Sequence, residues 1–84
     1  MTWVSSPAAT AAARAAIRQV LGRQGGLTWQ QVRAHASDLA GLSSHTVQTA
    51  LLALWNEGRF VAEIRNGGAG WRYPVLWLAP RRVA

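Results

Sequence analysis

The chain of 84 residues contains no cysteine, no lysine and only three acidic residues. Without cysteine it can form no disulfide, no thiolate zinc site and no cysteine nucleophile, which fits a reducing compartment. The longest run of large apolar residues, ALLALW at 50–55, is far shorter than the ~20 residues of a membrane-spanning helix. The first ten residues do not resemble a signal peptide. We therefore expect a cytoplasmic protein with no membrane partner.

The scarcity of acids leaves a strongly basic chain. Nine arginines against three acids give a net charge of +6 and an isoelectric point near 11.9. A small domain with this charge attracts polyanions, and nucleic acid is the commonest of them. No basic amphipathic helix indicates a membrane surface instead. A GC-rich genome also produces arginine in place of lysine, so the absence of lysine does not by itself indicate a function.

Patterns that support catalysis or metal binding are weak. His35 and His45 have no cysteine and no cluster of acids beside them that would complete a metal site. Ser43 and His45 lie close to Asp38, but nothing indicates a buried acid or an oxyanion hole. The glycine-rich NGGAG at 66–70 has no lysine after it and does not open a helix, unlike a phosphate-binding loop. We expect a protein that is not an enzyme and needs no cofactor or metal.

Three segments have apolar residues at helical spacing: residues 6–24, 28–37 and 44–57. A residue with a hydroxyl side chain that can cap a helix lies at the start of each segment or just before it: Ser6, Thr28 and Ser43. Gln31 lies three residues after Thr28 and completes a capping box. The residues predicted to face the core are Ala13, Ile17, Val20 and Leu21, then Val32 and Ala36, then Val47, Ala50, Leu51 and Leu54. Residues 37–43 are predicted to form a turn with Leu39 and Leu42 pointing inward, while Arg14 and Arg18 lie in solvent.

After Gly58 the apolar spacing changes to a period of about 2, which is typical of strands. RFVAEIR at 59–65 and WRYPVLWLA at 71–79 flank the NGGAG loop, so residues 59–78 are predicted to form a hairpin. Pro74 lacks a backbone N–H, so its strand is expected to lie at an edge or to donate no hydrogen bond at that point. The sequence predicts one α+β domain over residues 1–84, a three-helix bundle followed by a two-stranded hairpin. Its core covers about residues 6–79, with 1–5 and 80–84 flexible or peripheral.

The predicted third helix and the strand after it carry a regular series of residue types. The series is Ser43, Thr46-Val47, Ala50-Leu51, Leu54, Glu57-Gly58 and Phe60-Val61. With the capped LTWQQV before it and NGGAG after it, this series resembles the winged helix-turn-helix family of DNA-binding domains. The resemblance covers about residues 8–79 and extends to small regulators of bacterial or phage type. It implies that helix 44–57 enters the major groove and that the hairpin lies on the backbone of double-stranded DNA.

The residues that this resemblance assigns to DNA binding are Ser44, His45, Gln48 and Thr49 on the helix, and Arg33, Arg59, Arg65 and Arg72 around it. Glutamine can pair with adenine through two hydrogen bonds, and threonine can contact the methyl group of thymine. Serine or histidine can bond a phosphate or a base, and arginines supply most of the affinity for the backbone. A homodimer is expected at a specific site, because one such domain buries little surface.

The middle of the predicted third helix departs from the family, which commonly has basic residues there. Leu52 lies on the same stripe as His45 and Gln48, and Trp55 lies at the margin of the buried stripe. The alternative function is therefore a protein–protein interaction or assembly module that uses an apolar face formed by Leu52 and Trp55. Five tryptophans leave two interpretations open. They either cover a thin core or form an exposed patch, from among Trp3, Trp55, Trp71 and Trp77, for a partner or for unpaired bases.

Overall fold

Three helices precede a two-stranded antiparallel hairpin in the computed structural model, which describes residues 6–79. The elements are α1 (Pro7–Arg23), α2 (Trp29–Ala40), α3 (Ser44–Asn56), β1 (Phe60–Asn66) and β2 (Arg72–Leu78). This order confirms the predicted α+β fold. The third helix ends one residue before the predicted position 57, and β1 begins one residue after the predicted position 59. The predictions for residues 1–5 and 80–84, Trp3 included, lie outside the described residues.

Side-chain caps begin all three helices as predicted. The Ser6 hydroxyl accepts a backbone N–H in the first turn of α1, and Pro7 follows at the first helical position, where its missing N–H costs nothing. Thr28 accepts the backbone N–H of Gln31 at 3.2 Å, and the Gln31 side chain accepts that of Thr28 at 2.9 Å. Ser43 accepts a backbone N–H in the first turn of α3 at 3.3 Å. Each cap satisfies donors that the helix itself cannot pair.

The second helix is longer than the sequence predicted. It continues to Ala40 because the first residue to leave the helical conformation is Gly41, with a φ of 66° in the left-handed region. The predicted turn over residues 37–43 is therefore helical in its first half. Leu39 lies on the outside of the last turn with 45% of its surface exposed, so the prediction that it points inward is wrong. Leu42 is partly buried and packs against the core as predicted.

One hydrophobic core lies between the three helices and the near end of the hairpin. The residues predicted to face it are buried except Val20, which is partly buried against it. Phe60 and Leu76 from the hairpin and Leu27 from the connection after α1 complete the core. The core thus joins the hairpin to the helices and sets the position of the hairpin beside α3.

The second strand lies between β1 and a short bridge from the connection after α1. Leu76 donates its backbone N–H to the carbonyl of Leu27 at 2.6 Å, and its own carbonyl accepts the N–H of Gly26 at 2.8 Å. Pro74 lies two residues away, so its backbone nitrogen faces the same side, away from β1. The missing N–H therefore breaks no hydrogen bond between the strands, which agrees with the prediction that Pro74 lies at an edge or donates nothing at that point.

The hairpin has two faces that differ in composition. Residues opposite one another share a face, so the pairs Phe60–Leu78, Ala62–Leu76, Ile64–Pro74 and Asn66–Arg72 form one face. We call it the core face, because Phe60 and Leu76 belong to the core cluster. The opposite face carries Val61, Glu63, Arg65, Tyr73, Val75 and Trp77. Phe60 on the core face contacts Trp55 of α3, so this face is turned towards α3 at the near end of the hairpin.

An ion pair joins the first helix to the end of the third. Both terminal guanidinium nitrogens of Arg14 donate to the Glu57 carboxylate at 2.7 Å, and Arg59 approaches the same carboxylate at 3.4 Å. The hydrogen bonds from Arg14, with its charge, lower the pKa of Glu57 from 4.5 to about 2. Arg14 keeps 30% of its side-chain surface exposed, but its charge is paired with Glu57, a contact that the sequence did not predict.

Candidate nucleic-acid interface

The start of α3 presents polar side chains to solvent. Burial of Val47, Leu51 and Leu54 fixes which side of the helix faces the core, and the opposite side carries the candidate residues. Ser44, His45 and Thr49 are exposed there. The Thr49 hydroxyl donates to the backbone carbonyl of His45 at 3.0 Å, as threonine commonly does on a helix.

Gln48 differs from the other three candidates because it is half-buried against α2. Its side-chain oxygen accepts the indole N–H of Trp29 at 2.7 Å and a guanidinium N–H of Arg33 at 3.5 Å. Trp29 is the first residue of α2, between the two members of the capping box, and its indole N–H points across the groove between the two helices. No local sequence pattern indicates this contact, since Trp29 lies 19 positions and Arg33 lies 15 positions before Gln48.

A cavity of about 360 Å³ opens beside Gln48. It is lined by residues from α2, α3 and the second strand: Thr28, Trp29, Gln30, Arg33, Gln48, Tyr73 and Pro74. We call it the polar cavity. It brings Arg33, which is half-buried, to the side of the molecule where α3 begins. The outer part of the hairpin forms its far wall.

The three arginines predicted around the hairpin have different surroundings. Arg72 is exposed on the core face near the loop, and within residues 6–79 it forms no ion pair. Arg65 lies on the opposite face, where it pairs with Glu63 at 2.9 Å and lies 5.7 Å from the ring centre of Trp77. Arg59, after α3, is largely exposed but shares the Glu57 carboxylate. Arg72 and Arg33 are therefore the candidates on the α3 side that no described acid neutralises.

An apolar groove of about 270 Å³ adjoins the polar cavity. Its walls are Trp29, Trp55, Ala62, Pro74 and Leu76. Trp55 packs against Phe60 with ring centres 5.4 Å apart, and Trp29 contacts Phe60 edge-on at 5.9 Å. Trp55 therefore touches the near end of the hairpin while 44% of its surface stays exposed. Leu52, one turn earlier on α3, is 47% exposed.

The tryptophans of the described segment divide between the two interpretations. Trp29 is half-buried and packs against the core, as expected for a residue that covers it. Trp55, Trp71 and Trp77 are exposed over at least 37% of their surface. They do not form one patch, because Trp55 packs on Phe60 of the core face, whereas Trp77 lies on the opposite face and Trp71 packs on Tyr73 of that face near the loop.

Among residues 6–79 there is no group of three or more His, Cys, Asp or Glu side chains that could hold a metal ion. None of the described helices has both the length and the apolar character needed to cross a bilayer.

Comparison with known proteins supports the fold. No family model and no curated protein matches this chain. The structure is similar to the crystal structure of Pex from Synechococcus sp. (strain PCC 7942) (Anacystis nidulans R2), with a TM-score of 0.57. The two chains are 19% identical, and the match covers 90% of this chain and 69% of that one. At this identity the likeness extends to the arrangement of helices and hairpin alone.

Proposed function

We propose that this protein binds double-stranded DNA, with α3 in the major groove and the hairpin on the adjacent backbone. The observation that carries the proposal is a polar, exposed helix start with un-neutralised arginines beside it. Ser44, His45 and Thr49 are exposed on α3, Arg33 lines the cavity next to them, and Arg72 lies on the core face of the hairpin. The net charge of +6 favours a polyanionic partner.

The distribution of acids supports the same partner. Of the three acids in the chain, Glu57 and Glu63 are both engaged by arginines, so they add little negative field of their own. A helix of this width fits the major groove, and its positive N-terminal end favours a phosphate. A protein that acts in this way would serve as a small transcriptional regulator or an accessory DNA-binding factor. One domain of this kind covers only part of a typical specific site, so we propose that it binds as a homodimer.

The test is duplex binding measured between about 50 and 200 mM salt. Several phosphate contacts predict a steep loss of affinity over this range, and Arg72→Ala should reduce the salt slope by about 0.9. Arg18→Ala is the matched control, because Arg18 is exposed on α1 and the same charge is removed from another part of the surface. Absence of duplex binding at 50 mM salt would refute the proposal.

Arg65→Ala then decides whether the opposite face of the hairpin takes part. If the hairpin inserts into a groove, both of its faces meet phosphates, and this variant should lower the salt slope as Arg72→Ala does. If only the core face meets the backbone, Arg65→Ala should behave like Arg18→Ala.

A second candidate function is a protein-interaction module, and the exposure of Leu52 and Trp55 favours it. Both side chains are nearly half exposed, and Trp55 forms a wall of the apolar groove. Leu52→Arg separates the two functions. It should preserve or strengthen DNA binding, because it adds a cation to the exposed side of α3, but it should disrupt an apolar protein interface. An oligomer that resists high salt in sedimentation and dissociates in Leu52→Arg would favour the second function.

A further inference from the structure

The side-chain oxygen of Gln48 accepts hydrogen bonds from two donors of the protein itself. An amide oxygen has two lone pairs, and here one accepts from Trp29 at 2.7 Å and the other from Arg33 at 3.5 Å. The orientation of the amide follows from chemistry, because an indole and a guanidinium can only donate. The atom that faces them must be the oxygen, and the amide nitrogen must point elsewhere.

The amide nitrogen of Gln48 remains available to a ligand. Within residues 6–79 this nitrogen has no hydrogen-bond acceptor. In the same segment, every buried side-chain N or O atom that is shut off from water has a hydrogen-bond partner. The nitrogen therefore reaches solvent, and Gln48 lines the polar cavity beside the exposed start of α3. Gln48 thus offers its surroundings two N–H donors and no acceptor.

The contact that fixes this orientation belongs to the fold. Trp29 is half-buried, and its ring is held edge-on against Phe60 in the core at a centre-to-centre distance of 5.9 Å. The capping box at Thr28 fixes the backbone immediately before it. The indole N–H is therefore directed at Gln48 before any ligand arrives, and a ligand must either accept this orientation or break the contact.

We propose that Gln48 and Arg33 together select guanine, and not adenine, in the DNA that the proposed function requires; this inference rests on that function. Glutamine pairs with adenine by accepting from the N6 amino group while it donates to N7. Here the oxygen is occupied, so the N6 amino group finds no acceptor. Guanine presents two acceptors in the major groove, N7 and O6, which match the donors of the Gln48 amide and the Arg33 guanidinium.

The test measures base preference from a randomised duplex pool for the wild type and two variants. The wild type should enrich guanine at one position of its site. Trp29→Phe keeps an aromatic ring against Phe60 but removes the N–H, so one lone pair of the Gln48 oxygen becomes free to accept from the N6 amino group of adenine. The preference at that position should then move to adenine by about tenfold. Gln48→Glu keeps an acceptor for Trp29 and Arg33 but has no N–H, so it should lose the guanine preference by about tenfold.

A matched control separates the lost donor from the added charge. Gln30 is exposed and lines the same cavity, so Gln30→Glu introduces the same negative charge without touching Gln48. It should weaken binding to all sequences alike and keep the guanine preference. Circular dichroism checks that each variant folds, and if Trp29→Phe does not, the comparison of Gln48→Glu with Gln30→Glu decides.

The outcomes distinguish this inference from the function on which it rests. Duplex binding with an adenine preference in the wild type overturns the guanine assignment and leaves the proposed function standing. A guanine preference that survives Gln48→Glu unchanged also overturns the guanine assignment and leaves the proposed function standing. Failure of the wild type to bind any duplex overturns both. Enrichment of guanine that is lost in Gln48→Glu and kept in Gln30→Glu supports the assignment.

Discussion

The glycine at position 25 lies against the indole of Trp77, and we predict that Gly25→Ala lowers stability by about 2 kcal/mol. A Cβ at this position would lie 2.1 Å from Cε3 and 2.5 Å from Cζ3 of the ring, whereas carbon atoms pack best at about 3.5–4.0 Å. The ring must therefore move by more than about 1 Å. Overpacking of this kind costs roughly 1–3 kcal/mol, and displacing Trp77 from Arg65 adds roughly 0.5–1 kcal/mol. The φ of Gly25 is not in the left-handed region, so the side-chain clash carries the effect.

Gly22→Ala is the matched control for this prediction. A Cβ at position 22 meets only Cδ1 of Leu78, at 3.8 Å, which is an ordinary contact. Gly22 lies inside α1, where alanine is favoured over glycine by up to about 1 kcal/mol. Thermal and urea unfolding followed by circular dichroism should show a melting temperature lower by roughly 10 °C for Gly25→Ala and higher by a few degrees for Gly22→Ala. If Gly25→Ala melts at or above the wild type, the packing of Trp77 on this turn contributes nothing.

Two further predictions concern the ion pair and the core. The hydrogen bonds from Arg14 lower the pKa of Glu57 to about 2, so the folded state favours the ionised carboxylate. The stability that this provides is complete above about pH 4.5 and is lost as the pH falls towards 2; the melting temperature should drop over this range, and Glu57→Gln should drop less. An equal drop in Glu57→Gln would assign the acid sensitivity to other groups. Leu51 is fully buried, so Leu51→Ala should cost about 2–5 kcal/mol in urea unfolding. A loss below about 1 kcal/mol would mean that the core collapses around the missing side chain.

The order of helices and strands could be predicted from short-range features of the sequence. The capping residues, the apolar spacing of the helices and the change of period after Gly58 predicted the element order, and the structure confirms it. These signals are reliable because a cap or an apolar stripe involves residues within a few positions of each other. The prediction for Leu39 was wrong because it placed this residue in a turn over 37–43, whereas the helix continues to Ala40 and ends at Gly41, which adopts the left-handed conformation.

The candidate site could be predicted only in part. The polar residues at the start of α3 follow from helical spacing, and three of the four lie exposed as the pattern indicates. The fourth, Gln48, is turned towards α2 by Trp29, a contact that no local pattern encodes. Their role in DNA binding stays a prediction. Leu52 and Trp55, which departed from the family pattern, now have defined surroundings, because Trp55 packs on Phe60 and Leu52 stays exposed.

The sequence by itself determined the order of the elements, the caps that begin them and the net charge, because these depend on near neighbours or on composition alone. Only the tertiary structure decided which arginines pair with an acid and which atom of Gln48 faces Trp29 and Arg33. Arg14 meets Glu57 across 43 positions, and Trp29 meets Gln48 across 19. Such contacts exist only once the helices have packed on one core, since their geometry is set by the packing and not by the distance along the chain.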